Sequence, residues 1–111
     1  MANKPYPLKK SSAFKEVALK GTKKRLSQWL VLQLMPSGDS KNYFGITISR
    51  KVANSVVRNK LKRWVRSCVN NEKWPEKYDA HIFVFVFRSQ AEIGFFTKAK
   101  YSEFQSLFQK I

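Results

Sequence analysis

The pattern of apolar and polar positions predicts three strands. The first covers residues 27–35, and alternation along it places Leu30 and Leu32 on one face. A cluster of turn-forming residues ends this strand, and a second strand, 43–49, follows, so we expect the two to pair as an antiparallel hairpin. Residues 81–87 are apolar on both faces, which is typical of a central strand.

Three segments have the periodicity of helices. The first is short, with Ser11 or Ser12 as N-cap and Gly21 as C-cap. The second begins after the N-cap Asn54 and extends to about residue 70. Its apolar side chains fall within an arc of about 100° and form a core stripe: Val57, Leu61, Trp64, Val65 and Cys68. The last covers residues 97–109.

These elements predict an α+β fold in the order α-β-β-α-β-α, a central sheet packed by helices. The stretch 23–26 is compatible with an extra short strand. The length of 111 residues fits one domain, so we expect 1–111 to form a single domain. Residues 1–7 contain two prolines and are expected to form an extended N-terminal arm.

Charge narrows the class of partner. The chain has 22 Lys+Arg and 7 Asp+Glu, a formal net charge of +15. Self-repulsion on this scale favours a polyanionic partner, and nucleic acid is the first candidate. No apolar run approaches the roughly 20 residues that span a bilayer, and the N-terminus lacks the apolar core of a secretory signal, so we expect a cytoplasmic protein without a membrane partner. One cysteine, Cys68, excludes an intramolecular disulfide and a cysteine metal cluster.

The cations are concentrated in one interval. No acidic residue occurs between Asp39 and Glu72, and the predicted central helix places like charges such as Arg58 and Lys62 next to each other. These like-charged neighbours repel each other and destabilise the helix unless phosphate groups bind to them. Arg50 and the following residues join a strand to the start of this helix, where backbone N–H groups add to an anion site.

Catalysis by protein side chains has little support. His81 has no partner base or nucleophile nearby in sequence, and the carboxylates are scattered. Glu72, Glu76 and Asp79 are close in sequence but are interleaved with lysines, which favours a solvated loop over a metal site. We therefore predict no catalytic residue and no metal ligand in this chain.

Residues 47–66, TISRKVANSVVRNKLKRWVR, closely resemble the signature of the bacterial ribonuclease P protein subunit. That pattern is a strand ending in Ser and two basic residues, then an Asn-capped helix with an Arg-Asn-Arg core followed by Lys-Arg. Residues 8–14, LKKSSAF, resemble the opening helix of the family, and the resemblance covers about residues 8–110. The sequence departs from the pattern at Lys60, Ala53, Ala18 and Leu32, where Arg, Gly and two aromatic residues are usual.

The resemblance implies a ribosomal S5 domain 2-like fold with a left-handed β-α-β crossover. It also implies a ribonucleoprotein whose RNA subunit carries the active site and, with Mg²⁺, removes the 5′ leader of precursor tRNA. The expected partners are this RNA subunit and precursor tRNA, without an obligate protein partner. Carried over by position, the RNA-binding residues are Arg50, Lys51, Asn54, Arg58, Asn59, Lys60, Lys62, Arg63 and Arg66. The residues expected to line the leader cleft are Phe14, Leu30, Leu32 and Thr47.

Two alternatives remain open at the level of sequence. A structural RNA-binding protein, such as a ribosomal protein, explains the charge equally well but not the helix signature. A protein-only nuclease predicts cleavage without any RNA subunit and its loss on replacement of His81 or the carboxylates. Restoration of precursor-tRNA cleavage by a ribonuclease P RNA at low Mg²⁺ separates the three.

Overall fold

The computed structural model describes residues 4–111 and contains a mixed sheet with helices on both faces. The five strands are β1 (Tyr6–Pro7), β2 (Thr22–Arg25), β3 (Leu30–Pro36), β4 (Tyr43–Thr47) and β5 (His81–Phe87). The helices are α1 (Ser11–Lys20), α2 (Ser55–Asn71), α3 (Phe95–Lys98) and α4 (Tyr101–Gln109), with a 3-10 turn at Glu76–Tyr78. The predicted α+β class is confirmed, and β2 is the extra short strand.

The strand order is β1-β4-β5-β3-β2, so β5 is central, as its two apolar faces predict. The predicted hairpin between β3 and β4 is wrong. β5 lies between them, antiparallel to β3 and parallel to β4. This order buries both faces of β5, whereas a β3–β4 hairpin would displace the most apolar strand toward an edge.

The parallel pair β4 and β5 is connected through α2, which makes a β-α-β crossover. Asn54 caps α2 as predicted, since its side chain accepts a hydrogen bond from the N–H of Val57 at 2.9 Å. The predicted core stripe of α2 is buried, together with Val69. The left hand of the crossover stays a prediction.

The two faces of the sheet have separate cores. On one face, Leu30 and Leu32 of β3 and Phe85 of β5 pack with α2 and α4. On the other face, Val17 of α1 packs against Ile82 and Val84. α1 therefore covers only part of the second face, and the sheet there is not closed by a second long helix.

The first helix begins differently from the prediction. Its N-cap is Lys10, which makes no side-chain capping bond, so neither Ser11 nor Ser12 caps it. Gly21 ends it as predicted, and a β-carbon there would lie 2.5 Å from the carbonyl oxygen of Val17. Part of the expected arm forms the edge strand β1 along β4. Residues 1–3 lie outside the described residues.

The last predicted helix is in fact two helices. α3 and α4 are separated by Ala99 and Lys100, which are both extended. Phe104 and Phe108 are buried, whereas Tyr101 and Leu107 are half-buried. At this break, backbone carbonyl groups accept hydrogen bonds from the side chain of Lys60.

Candidate nucleic-acid interface

The fold separates charge between the two ends of the sheet. Since β4 and β5 are parallel, both end near the start of α2, where Arg50 and Lys51 are exposed. The opposite end carries the β3–β4 turn, the C-terminus of α2 and the start of β5. Four of the 7 acidic residues lie in these segments: Asp39, Glu72, Glu76 and Asp79. Near the start of α2, Glu92 lines a small pocket together with Asn54, but it forms no ion pair with the basic face.

The cations of α2 have no carboxylate partner. Within residues 4–111, the only ion pair is between Lys73 and Glu76, 2.7 Å apart and both exposed. Glu72, the C-cap of α2, instead accepts hydrogen bonds from Gln105 and Gln109. The basic face is therefore free to meet an external anion.

Most of the predicted RNA-binding positions lie on one continuous surface. The exposed positions are Arg50, Lys51, Asn54, Asn59, Arg63 and Arg66. Two more, Arg58 and Lys62, are half-buried. This surface covers the loop before α2 and the outward side of that helix, opposite its core stripe. Contact of these residues with RNA stays a prediction.

Lys60, which was predicted to bind RNA, instead contacts the protein's own backbone. Its ammonium nitrogen lies 3.0 Å from each of the carbonyl oxygens of Phe96, Thr97 and Ala99. All three ammonium donors are thereby used inside the protein. The same nitrogen lies 5.2 Å from the centre of the Trp64 ring. Lys60 therefore links the α3–α4 junction to α2 by hydrogen bonds, and its ammonium group has no N–H left to donate to a phosphate.

A groove of about 440 Å³ lies at the β1–β4 edge of the sheet and joins cations to apolar groups. We call it the edge groove. One wall is polar and comes from α2, with Lys62, Arg66 and Asn70. The other is apolar and comes from the N-terminal segment, α1 and β4: Pro5, Pro7, Leu8, Phe14, Phe44, Gly45 and Ile46. The structure thus places Phe14 and the α2 cations, which the sequence analysis assigned to separate sites, around one groove.

Phe14 is positioned by a glycine. A β-carbon built on Gly45 would lie 2.5 Å from Cε1 of Phe14. The absence of a side chain at this position lets the ring lie directly against β4. Phe14 is half-buried and packs with the small core under α1. It therefore has both a core contact and a part that faces the edge groove.

The predicted leader cleft was assigned partly to the wrong face. Leu30 and Leu32 are each 0% exposed and lie in the core between the sheet, α2 and α4. They cannot line a cleft that a ligand enters. Alternation along β3 was predicted correctly, but the sequence does not say which of its two faces the long helix covers. Thr47 is exposed on the other face, the one that carries α1.

The accessible part of that face includes the end of β4 and the edge strand β2, and we call it the open sheet face. The strand register aligns Thr47 with Val86, Val86 with Val31, and Val31 with Arg25. Val31 and Val86 are half-buried, and Arg25 is exposed at the edge. This row presents an apolar floor with a cation at one side.

Sequence reasoning missed the cations of β2. Lys23 and Arg25 alternate onto the open sheet face, where Lys23 lies opposite Gln33 of β3. Their basic character and their spacing of two residues were visible in the sequence. The pairing of β2 with β3, which directs them to this face, was not visible.

Two pairs of titratable side chains lie within hydrogen-bond distance of each other. The hydroxyl of Tyr43 donates to Asp39 Oδ2 at 2.7 Å, which lowers the pKa of Asp39 and raises that of Tyr43. Burial raises the pKa of the Cys68 thiol, whose sulfur lies 3.4 Å from the Tyr101 hydroxyl. No group of three or more His, Cys, Asp or Glu side chains within residues 4–111 is placed to hold a metal ion.

The side chain of His81 makes contacts within the fold. Its Nδ1 lies 3.0 Å from the carbonyl oxygen of Asp79, and its ring contacts Tyr78 edge-on. Across residues 4–111, no helix has both the length and the apolar character needed to cross a membrane.

A small α+β fold with an uncompensated basic helix, beside a groove that joins cations to an aromatic ring, is typical of proteins that bind nucleic acid. Comparison with known proteins gives the family. The family model described as Ribonuclease P matches residues 2–111. The ribonuclease P protein component of Bacillus velezensis is 33% identical over 103 residues, which cover 93% of this chain and 86% of that protein.

Solved structures agree on the fold. The RNase P protein of Staphylococcus aureus matches with a TM-score of 0.78 at 23% identity, over 97% of this chain and 93% of that one. The RNase P protein of Thermotoga maritima matches with a TM-score of 0.77 at 22% identity, over 95% and 96%. The chain belongs to the ribonuclease P protein-subunit family, and its role lies in tRNA 5′ processing.

Proposed function

We propose that the chain binds two RNAs at once: the ribonuclease P RNA subunit and the 5′ leader of precursor tRNA. The loop before α2 and the outward side of that helix, apart from Lys62 and Arg66 in the edge groove, contact the RNA subunit through phosphates. The edge groove and the open sheet face receive the single-stranded leader. Leader removal thereby becomes more efficient, because the substrate is held by its leader as well as by its tRNA body.

The observation that carries this proposal is the composition of the edge groove. Lys62 and Arg66 supply positive charge on one wall, and Phe14 supplies an aromatic surface on the other. Single-stranded nucleic acids are bound in this way, with the backbone along cations and the bases against rings. Double-stranded RNA hides its bases, so an aromatic wall favours an unpaired segment as the occupant.

The open sheet face extends the same path. Val31 and Val86 offer an apolar floor for bases, and Arg25 offers a cation for the backbone at its edge. Thr47 adds a hydroxyl at the end of β4. The leader-cleft set proposed here is therefore Phe14, Thr47, Val31, Val86 and Arg25, in place of the buried Leu30 and Leu32.

The chemistry of cleavage is assigned to the RNA subunit. Mg²⁺ bound by that RNA and by the substrate would activate the attacking water and stabilise the leaving oxygen. The described residues of this chain include no group of three or more His, Cys, Asp or Glu side chains placed to hold a metal ion. Their part is to neutralise phosphates and orient RNA, and neutralisation lowers the Mg²⁺ concentration that the assembled particle needs. We place this particle in the cytoplasm, as the family assignment favours.

Reconstitution tests the proposal. The purified chain is added to a ribonuclease P RNA and precursor tRNA, at a Mg²⁺ concentration too low for the RNA alone. We expect cleavage at the mature 5′ end only when both subunits are present. Absence of stimulation would favour a structural RNA-binding protein. Cleavage by the chain without the RNA subunit would favour a protein nuclease.

The variant K62Q/R66Q provides the matched comparison. It removes the cationic wall of the edge groove and leaves the apolar core stripe of α2 unchanged. We expect it to need more Mg²⁺ than the unaltered chain. K73Q, which removes a charge already paired with Glu76, serves as the control and should behave like the unaltered chain.

A further inference from the structure

A second groove, of about 460 Å³, lies on the other flank of α2, between that helix and the start of α4. Its lining residues are Lys60, Arg63, Trp64, Ser67 and Tyr101. We call it the α2–α4 groove. At 100° per residue, Ser67 lies about 140° around the helix from Lys62. The two grooves therefore open on different sides of the same helix.

Arg63 is the cation of this groove with free donors. It is exposed and makes no ion pair or side-chain hydrogen bond to any described residue. Lys60 adds positive charge nearby, but its donors are held by the α3–α4 carbonyls. No carboxylate lines the groove. An anion that enters it meets one planar guanidinium in a positive field, which suits a phosphate.

Tyr101 supplies an aromatic ring to the same groove as Arg63. It is half-buried, and its hydroxyl lies 3.4 Å from Cys68 Sγ, which restrains the ring at the base of the groove. Burial raises the pKa of Tyr101, so the hydroxyl stays neutral at physiological pH. Trp64 also lines the groove but is only 7% exposed. Lys60 holds the α3–α4 junction in place directly before Tyr101.

We propose that the α2–α4 groove binds one unpaired nucleotide of the RNA subunit, with its phosphate on Arg63 and its base against Tyr101. A planar cation beside an aromatic ring is the chemistry that recognises an unstacked nucleotide. The occupant is the RNA subunit and not the leader, because the leader path lies on the opposite flank of α2. This inference rests on the proposed function and adds a second contact to it.

Three single variants and one double variant test the inference, and a further single variant serves as a distant control. R63Q removes the phosphate donor, and Y101L removes the ring. Y101F keeps the ring and removes only the hydroxyl beside Cys68, and the control K110Q removes one exposed charge elsewhere. The equilibrium dissociation constant for the RNA subunit is measured for each, and thermal unfolding confirms that each variant is folded.

We expect R63Q and Y101L each to weaken RNA-subunit binding by about tenfold, within the range of one base-stacking contact. Y101F and K110Q should stay within about twofold of the unaltered chain, since neither removes the ring or the guanidinium. The double variant R63Q/Y101L should weaken binding by less than the product of the two single effects, because one nucleotide holds both side chains. Equal constants for R63Q and K110Q, or an unaffected Y101L, would overturn the inference.

A tethered probe keeps the test informative if Y101L fails to fold. S67C places a reactive thiol in the groove, while the native Cys68 is buried. An iron chelate attached at position 67 should cleave the RNA subunit at one unpaired segment. Cleavage confined to the leader of precursor tRNA would overturn the assignment of the occupant.

The outcomes also separate this inference from the proposed function. If the unaltered chain binds no ribonuclease P RNA, the proposed function is wrong and the inference about the groove falls with it. The unaltered chain could instead bind the RNA subunit while R63Q and Y101L bind it as tightly as the unaltered chain does. In that case only the inference about the α2–α4 groove is wrong.

Discussion

The ring of Phe14 lies so close to the backbone of Gly45 that a β-carbon on the glycine would come 2.5 Å from Phe14 Cε1. This contact fixes the apolar wall of the edge groove. It also explains why a strand that otherwise carries large side chains has a glycine at its centre. The position of the ring, and with it the proposed leader site, depends on the missing side chain at position 45.

The first prediction follows from this contact. G45A should destabilise the fold by about 1–3 kcal/mol, because the added methyl group forces Phe14 away from β4. Denaturant unfolding measures the loss. F14L in the same chain should recover part of it, since leucine leaves more room beside β4. If G45A and the double variant are equally unstable, the proposed contact does not determine the packing here.

The second prediction concerns Lys60, which stands inside the basic signature but serves the fold. K60M should lower the free energy of unfolding by about 1–3 kcal/mol, since carbonyls of the α3–α4 junction lose their donor. R63Q, which removes an exposed neighbouring charge, should change stability little. Unfolding in urea compares the two. A K60M protein of unaltered stability would return Lys60 to the RNA-binding set.

The third prediction concerns salt. Removing one cation that neutralises an RNA phosphate should reduce the slope of log affinity against log salt by about 0.7 to 0.9. K62Q/R66Q, which removes two such cations, should therefore reduce the slope for precursor tRNA by about 1.4 to 1.8. Binding of the assembled particle is measured across a range of salt concentrations. An unchanged slope would mean that the edge groove does not hold the RNA backbone.

The fourth prediction concerns pH. The Tyr43 hydroxyl is the largest cause that lowers the pKa of Asp39, followed by the N–H of Lys41. The carboxylate thus stabilises the turn above its unfolded pKa of about 3.9, and this contribution is lost as pH falls through the lowered folded pKa. Y43F should raise the pKa of Asp39 toward its ordinary value, which NMR titration of the carboxyl group measures.

Glu76 is the internal control for this titration. Its pKa is lowered chiefly by the hydrogen bond from Lys73, which does not involve Tyr43. Y43F should leave the Glu76 titration unchanged. A pKa of Asp39 that is also unchanged would show that the Tyr43 bond does not persist in solution.

The sequence predicted local features well because their causes are local. The core stripe of α2 and its Asn54 cap depend on residues within one or two helical turns. The central place of β5 was also predictable, because its apolar character on both faces needs cover from both sides.

Long-range pairing was not predictable, and the errors follow from it. The β3–β4 hairpin was inferred from adjacency in sequence, but β5 inserts between the two strands after a crossover of more than thirty residues. The same crossover decides which face of β3 the helices cover, so Leu30 and Leu32 were assigned to the wrong side. Lys60 was misassigned because its partners lie 36 to 39 residues away.

For the candidate site, the sequence predicted some of the residues but not their arrangement in space. The basic residues of α2 and Phe14 were identified from the sequence and from its resemblance to the family. Their meeting around one groove depends on the β1–β4 pairing at the sheet edge, which brings the N-terminal segment beside α2. Lys23 and Arg25 were missed because only the β2–β3 register directs them to the open sheet face.

The most direct test of the leader site compares two ligands of one assembled particle. F14A should weaken binding of precursor tRNA, since one stacked base contributes about 1–3 kcal/mol, or about 5- to 150-fold in affinity. Binding of mature tRNA, which has no leader, should stay nearly unchanged. The measured quantity is the ratio of the two dissociation constants, for F14A and for the unaltered chain. A weaker preference for precursor tRNA in F14A is the predicted result, and equal losses for both ligands with a lower melting temperature would contradict it.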